Sequence, residues 1–168
     1  MIGAIIGDIV GSRFEWNNYR KKDFILFTED CFATDDSIMS LAIAGAVLQH
    51  QTEAVDLSKA AVCWMQKVGR PYPHCGFGGN FYHWIYSDDP KPYNSFGNGA
   101  AMRVSACGLS AKTLEAALQM STAVTAVTHN HPEGIKGANA TTAAIFLAKS
   151  GASKDAIRSH IVENYYPL

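Results

Sequence analysis

Charge is scarce in this sequence, and that scarcity excludes some classes of protein. Only 17% of the 168 residues are charged, the formal net charge is −1, and the longest basic run is Arg20-Lys21-Lys22. Nucleic-acid-binding surfaces need dense positive charge, so we expect no nucleic-acid partner. Hydrophobic residues make up 48%. This balance predicts either a small exposed surface or a surface that is partly an interface.

Long apolar runs and paired cysteines are also missing. No run reaches the roughly 18 apolar residues of a spanning helix, and the apolar start of the chain contains Asp8 and lacks the basic leader of a signal peptide. The four cysteines form no Cys-x-x-Cys pair, which argues against a zinc site and a disulfide framework. A P-loop motif is absent too. We therefore expect a cytoplasmic protein without a membrane partner.

What the sequence contains is typical of helices. Runs rich in Ala, Leu, Ile and Met dominate, while alternating strand-type stretches are few. We predict an all-α fold in one domain spanning 1–168. The predicted helices are 3–14, 36–50, 57–68, 110–127, 134–149 and 153–163. Between 69 and 105 the chain is rich in Gly, Pro, Asn and aromatics, which predicts a long functional loop.

The strongest candidate for a functional site is Thr34-Asp35-Asp36-Ser37, where a loop leads into an apolar helix. Adjacent carboxylates flanked by hydroxyls are suitable ligands for a hard divalent cation. The same residues are also common helix caps, because acids and hydroxyls satisfy the free N–H groups of a first turn. Both interpretations stay open on these four residues alone.

Glycine recurs every four residues in the first predicted helix, at Gly3, Gly7 and Gly11. Because glycine lowers helix propensity by about 1 kcal/mol, this spacing predicts close approach of another helix backbone or of a ligand. Asp8 and Glu15 lie roughly on one face of that helix, seven residues apart. Asp8 is either part of a site or a buried carboxylate that accepts backbone N–H bonds.

Two later segments offer further polar groups. The turn Gly97-Asn98-Gly99 can bring backbone N–H groups against a ligand, because glycine adds no steric obstacle. His129, His131 and Glu133 superficially resemble metal ligands or an HNH nuclease element. Zinc needs further ligands, and a nuclease needs more basic charge. We interpret the segment as a loop into the helix at Gly134, with a histidine against a ligand ring and with His129 as a structural histidine.

Taken together, five segments in this order resemble the ADP-ribosylglycohydrolase family, in particular dinitrogenase reductase-activating glycohydrolases. The resemblance covers nearly the whole chain and implies an all-helical fold. It also implies two divalent ions, Mg²⁺ or Mn²⁺, at the bottom of a cleft that receives ADP-ribose. The matching segments are 3–15, 32–37, 72–78, 97–103 and 128–134.

The resemblance also implies roles for individual residues. Thr34, Asp35 and Asp36 would be metal ligands, and Glu15 would act with Asp35 near the scissile glycosidic bond, where a carboxylate can stabilise oxocarbenium character. The loop Gly97-Asn98-Gly99 would cradle the diphosphate. His131 would lie beside the ligand, and Tyr72 and Phe77 would shape the cleft wall.

One departure from the family pattern matters for function. The family carries a second acidic motif, Asp-x-Asp-Ser/Thr, which completes the metal centre, and no such motif follows Glu133. We therefore expect a C-terminally shortened relative whose uncovered apolar faces favour homo-oligomers. Besides hydrolysis of ADP-ribosylated substrates, two alternatives follow: a non-catalytic ADP-ribose or nucleotide-binding module, and an inactive structural relative. The linkage cleaved, whether to arginine, serine or a small molecule, does not follow from the sequence.

Overall fold

The computed structural model describes residues 1–167 and confirms the all-α prediction. Between these bounds the chain forms eight α-helices and no β-strand. Short 3₁₀ turns follow α1, at Ser12–Phe14, and precede α5, at Ala101–Arg103. The helices are α1 Ile2–Gly11, α2 Asp35–Glu53, α3 Leu57–Gly69, α4 Gly79–Tyr86, α5 Ser105–Ser110, α6 Leu114–Ala126, α7 Pro132–Lys149 and α8 Lys154–Asn164.

Helix α2 lies at the centre of the core and packs against α1, α3 and α5. Met39 and Ile43 on α2, Met65 on α3 and Ile85 on α4 have no exposed surface. Helix α7 packs against α5, α6 and α8 on the other side of the bundle. Burial of these apolar side chains removes them from water, so it stabilises the arrangement that presents the start of α2 to the site.

Two helices differ from the prediction: α4 lies in a segment predicted as loop, and α5 ends at the residue where a longer helix was predicted to begin. Helix α4 falls inside the supposed loop 69–105, because Phe81, Trp84 and Ile85 recur at helical spacing and are buried on one face. Ser110, predicted as the cap of a helix over 110–127, is instead the last residue of α5. The next helix begins after Thr113, whose hydroxyl accepts the N–H of Ala116.

The N-terminal layer, residues 1–33, is covered far less than the bundle. Val10 is the only buried residue of α1. Ten of the large hydrophobic residues that the structure shows exposed belong to this layer, with Trp16 at 92% exposure. Homo-oligomer formation stays a prediction that such apolar surface favours. Across the described part of the chain, no helix is both long and apolar enough to cross a membrane.

Candidate functional site

A cavity of about 400 Å³ lies between the start of α2 and the loop that leads into α5. On one side are the carboxylates of Glu15, Asp35 and Asp36, which we call the acidic wall. Later segments of the chain provide a second set, which we call the loop wall. It consists of Gly97, Asn98, Gly99, Arg103 and His129. The fold therefore brings together residues that are more than 110 positions apart in the chain.

Asp8 fixes the position of the acidic wall. Its carboxylate accepts the N–H of Thr34 at 2.9 Å, the hydroxyl of Thr34 at 2.5 Å and the N–H of Ser37 at 3.1 Å. The hypothesis of a carboxylate that accepts backbone N–H bonds is thus confirmed for Asp8. These bonds tie α1 to the first turn of α2, because two orphan N–H groups of a helix start need acceptors.

Both interpretations of the Thr34-Asp35-Asp36-Ser37 segment have support in the structure. Thr34 is the N-cap of α2, and its hydroxyl also accepts the N–H of Asp36 at 3.3 Å. The capping role therefore belongs to Thr34, whose hydroxyl also donates to Asp8, and the metal-ligand role that the resemblance implies for Thr34 stays a prediction. Asp35 and Asp36 occupy the first helical turn and are left to face the cavity.

The two aspartates are held where their charges are unfavourable. Burial raises the pKa of Asp35 to about 6, and the neighbouring charge of Asp36 adds to the rise. Burial likewise raises the pKa of Asp36, with further contributions from the charges of Asp8 and Glu15. Like charges close together disfavour ionisation of each. A cluster of this kind is typical of functional sites rather than of stabilising ones.

Gly76 allows the loop before α4 to lie against Asp35. Its φ is +116°, a conformation that side chains disfavour, and an added Cβ would lie 2.9 Å from Oδ1 of Asp35. The carbonyl of Cys75 next to it accepts the N–H of Asp35 at 2.9 Å. Burial, followed by the charge of Asp35, raises the pKa of the Cys75 thiol to about 11, so this cysteine is an un-ionised packing residue.

The acidic wall offers carboxylate oxygens, which suit a hydrated divalent cation. Asp35 and Asp36 line the cavity, whereas Ser37, whose buried hydroxyl has no hydrogen-bond partner, does not. A magnesium site commonly uses one or two carboxylates together with waters and substrate oxygens. Within residues 1–167, however, no three His, Cys, Asp or Glu side chains are grouped as a metal site. The HNH and zinc interpretation of His129, His131 and Glu133 therefore has no support in the structure.

The loop wall is assembled by bonds between two distant segments. Tyr93 donates its N–H to the carbonyl of Thr128 at 3.1 Å, and Asn94 donates its N–H to Oδ1 of Asn130 at 2.7 Å. A Cβ at Gly134 would lie 2.7 Å from the carbonyl oxygen of Ser95, so the loop passes directly over the start of α7. These contacts hold the segment before the glycine turn against the segment that carries His129, so the two parts of the loop wall lie together.

Arg103 is the largest fully buried side chain and has 1% exposure. Its Nη2 donates to the carbonyl of Val124 at 3.1 Å and to Oγ1 of Thr128 at 2.7 Å. No carboxylate pairs with it among the described residues. Burial lowers its pKa to about 10, so the guanidinium remains charged at neutral pH. A buried charge without a counter-ion favours an anion in the adjoining cavity.

His129 extends this network to the cavity surface. Its Nδ1 lies 2.7 Å from Oγ1 of Thr128, and burial together with the charge of Arg103 lowers its pKa to about 4. The imidazole is therefore neutral at physiological pH. The Nε2 end faces the glycine turn, since a Cβ at Gly99 would lie 3.3 Å from it. His129, interpreted from sequence as structural, is both buried and part of the cavity lining.

Three residues predicted to contact the ligand lie outside this lining. Phe77 packs edge-on against Phe81, with ring centroids 5.1 Å apart, and Tyr72 is 52% exposed. His131 is the N-cap of α7, where its Nδ1 accepts the N–H of Glu133, and its ring lies against Phe96. A ligand role for these three residues stays a prediction.

The structure adds residues that sequence reasoning did not assign. Arg103, Asn80 and Tyr93 line the cavity. Arg103 was detectable, because it is the single charge in the apolar run 100–107 and a buried charge needs a partner. Asn80 and Tyr93 lie in a loop-rich stretch of many similar residues. Only the tertiary fold selects these two.

The glycine stripe of α1 does not pack against another helix. Beyond the backbone of α1 itself, no described atom lies within 4 Å of a Cβ placed on Gly3, Gly7 or Gly11. Approach of another helix backbone is therefore wrong for residues 1–167, and the alternative, approach of a ligand, stays a prediction. Gly7 and Gly11 instead line an open depression of about 390 Å³ that also includes Glu15 and Asp36. Gly7 and Gly11 therefore lie close to the acidic wall but outside the cavity.

The comparison with protein families agrees with this geometry. A sequence model of the family described as ADP-ribosylglycohydrolase matches residues 1–166. The match includes both walls of the cavity and every helix of the bundle. The chain belongs to the ADP-ribosylglycohydrolase family.

Proposed function

We propose that this chain hydrolyses the glycosidic bond between ADP-ribose and an acceptor, with Mg²⁺ or Mn²⁺ as cofactor. The observation that carries the proposal is the polarity of one cavity, which has three carboxylates on one wall and a glycine turn beside a buried arginine on the other. Its volume of about 400 Å³ is in the range of small-molecule sites. Family membership supports the same substrate class.

The two walls suit the two ends of ADP-ribose. A diphosphate against the loop wall would neutralise the charge of Arg103 and meet the neutral imidazole of His129. One donor of the turn is already used, because Gly97 donates its N–H to Oγ of Ser95 at 3.2 Å. The distal ribose and its anomeric carbon would then face the acidic wall.

Asp35 and Asp36 would hold the divalent cation, with Thr34 fixed behind them as the cap. When bound there, such a cation supplies Lewis-acid stabilisation of negative charge. The protein's own groups orient the rest of the reaction. In hydrolysis a water oxygen bonds to the anomeric carbon, the electron pair of the glycosidic bond leaves with the acceptor atom, and the acceptor gains a proton. Glu15 would stabilise the oxocarbenium charge that develops at this carbon.

A second candidate, a non-catalytic ADP-ribose-binding module, is favoured by one observation. The described residues contain no group of three His, Cys, Asp or Glu side chains that could hold a metal. Such a module would use the loop wall for binding without the chemistry of the acidic wall.

Two experiments separate the candidates. Titration calorimetry in Mn²⁺ or in EDTA measures ADP-ribose binding, and a second assay measures ADP-ribose release from arginine-linked and serine-linked protein substrates. We expect metal-dependent binding with release of ADP-ribose. The double variant Asp35→Asn/Asp36→Asn should lose metal dependence, whereas Asp155→Asn/Glu163→Gln, which changes two exposed acids of α8, should not. Binding without release would support the module, and absence of binding would overturn both candidates.

A further inference from the structure

A second concave surface lies on the outer face of α3, against the loop at 88–91. We call it the basic groove. Its volume is about 880 Å³, and four cationic side chains and one carboxylate line it. The α3 contribution recurs at helical spacing, so one face of that helix forms the floor and one rim. The charged lining residues are Lys59, Lys67, Arg70, Lys91 and Asp89.

Two of the cations are held in place by contacts. Arg70 donates from Nε to the carbonyl of Ile85 at 2.8 Å and from Nη2 to the carbonyl of Ser87 at 3.2 Å. Nζ of Lys67 lies 4.7 Å from the centroid of the Trp64 ring, a cation–π distance. Because these cations are partly ordered before any partner arrives, less conformational entropy is lost on binding.

The groove is strongly positive for a chain with a net charge of −1. Asp89, its one carboxylate, pairs with Lys91 at 2.7 Å, which leaves Lys59, Lys67 and Arg70 without an acidic partner among the described residues. Concave surfaces of one charge sign concentrate the field and raise the local concentration of oppositely charged partners. The charge of the groove therefore favours an anionic partner over a neutral or cationic one.

The basic groove is connected to the cavity by shared residues. Asn80 and Tyr93 line both the cavity and a shallow depression of about 330 Å³. Pro90 and Lys91 line both that depression and the basic groove. The groove, the depression and the cavity where ADP-ribose is proposed to bind are therefore neighbours on the protein.

We propose that the basic groove docks an acidic segment of the ADP-ribosylated protein whose modified residue enters the cavity. This inference rests on the proposed function of the cavity. Val62, Pro71 and Pro90 give the groove an apolar part, which suits peptide side chains between carboxylates. None of the described residues that line it is aromatic, so nucleic-acid bases find no stacking surface there.

Fluorescence anisotropy with a labelled peptide of alternating Glu and Leu tests the groove directly. We expect Lys59→Glu/Lys67→Glu to weaken binding by more than about tenfold at low salt, since two attractions become repulsions. Lys112→Glu/Lys154→Glu, which changes charge equally at exposed positions outside the groove, should weaken binding by less than about twofold. No binding, an equal loss in both variants, or tighter binding of a single-stranded oligonucleotide than of the peptide would overturn the proposal.

Kinetics with two substrates tests the link between groove and cavity. An ADP-ribosylated acidic peptide should have a lower KM than an ADP-ribosylated neutral peptide, with similar kcat, and Lys59→Glu/Lys67→Glu should remove that difference. Equal KM values with turnover would overturn the docking role and leave the proposed hydrolysis intact. If neither peptide is hydrolysed, the hydrolase proposal fails, and the anisotropy result still decides whether the groove binds acidic peptides.

Discussion

The two walls of the cavity differ in how the fold holds them. The loop wall is continuous with the core, since Arg103 and Thr128 are 1% and 0% exposed and are bonded to each other. The acidic wall depends on Asp8 and Glu15 of the thinly covered N-terminal layer, and its aspartates have raised pKa values. Both walls hold ionisable groups whose charged forms burial disfavours, but the loop wall is packed into the core, whereas the acidic wall relies on a layer with little burial.

The largest effect is expected from the loop wall. Arg103→Ala should lower the free energy of unfolding by about 3 kcal/mol, because a large cavity forms and the Val124 carbonyl and the Thr128 hydroxyl lose a donor. Urea unfolding measures this change. Arg158→Ala, at an exposed position of α8, should change it by less than about 0.5 kcal/mol. Similar losses in both variants would contradict the view that the loop wall belongs to the core.

The pH dependence of stability should reveal His129. Its pKa is about 4 in the folded chain against 6.5 for an unperturbed histidine, so the unfolded chain binds more protons between these values. Stability is therefore lost as pH falls from 6.5 toward 4, by about 2 kcal/mol between roughly pH 8 and pH 5.

His129→Gln should remove this component of the pH dependence, whereas His160→Gln on α8 should keep it. Urea unfolding at both pH values gives the difference between each variant and the wild-type chain. The opposing contribution of Asp35 is present in all three proteins and cancels in that difference. If the free energy of unfolding of His129→Gln changes with pH as in the wild-type chain, another group causes the pH dependence.

Gly76→Ala tests the support of the acidic wall. The variant combines a strained φ of +116° with a Cβ 2.9 Å from Oδ1 of Asp35. Gly151→Ala is a matched control, because its φ is +86° and open space surrounds the added Cβ. We expect both to lose about 1 kcal/mol from backbone strain, with about 1 kcal/mol more for Gly76→Ala. The affinities for metal and for ADP-ribose should fall in Gly76→Ala and not in Gly151→Ala. If calorimetry shows equal affinities in the two variants, the Gly76 loop does not support the site.

Asp35→Asn should have the smallest effect on the free energy of unfolding, and it should raise that free energy rather than lower it. Asp35→Asn removes a charge that burial and Asp36 disfavour, so it should raise the free energy of unfolding in EDTA by about 1 kcal/mol at neutral pH while abolishing the proposed activity. Asp155→Asn removes an exposed acid from the first turn of α8 and should slightly destabilise the chain. If Asp35→Asn instead lowers the free energy of unfolding, the buried charge of Asp35 does not destabilise the folded chain.

Much of the fold was predictable because local signals were strong. The runs that became α2, α3 and α7 are long and apolar, and the cap at Ser153 with Asp155 in the first turn was found as predicted. Helix α4 was missed because eight residues between glycines and prolines give a weak periodic signal, although three of them pack into the core. Short helices depend on tertiary packing more than on propensity.

The candidate site was predictable in the same uneven way. Asp35, Asp36, Glu15 and the turn 97–99 were identified from residue chemistry and family resemblance, and all of them line one cavity. Between the two histidines of one loop, the sequence favoured His131 for the ligand, whereas the cavity contains His129. Neighbouring positions in a loop point in different directions, and residue type carries no information about direction.

By itself, the sequence determined the helical class, the family and the presence of an acidic pair at a helix start, because composition, apolar spacing and capping chemistry are local properties. Only the folded chain shows that Asp8 binds the first turn of α2, that Arg103 is a buried charge in the cavity lining, and that a basic groove lies near the cavity. These features depend on which distant segments meet. That is set by the packing of the whole bundle rather than by any one stretch of chain.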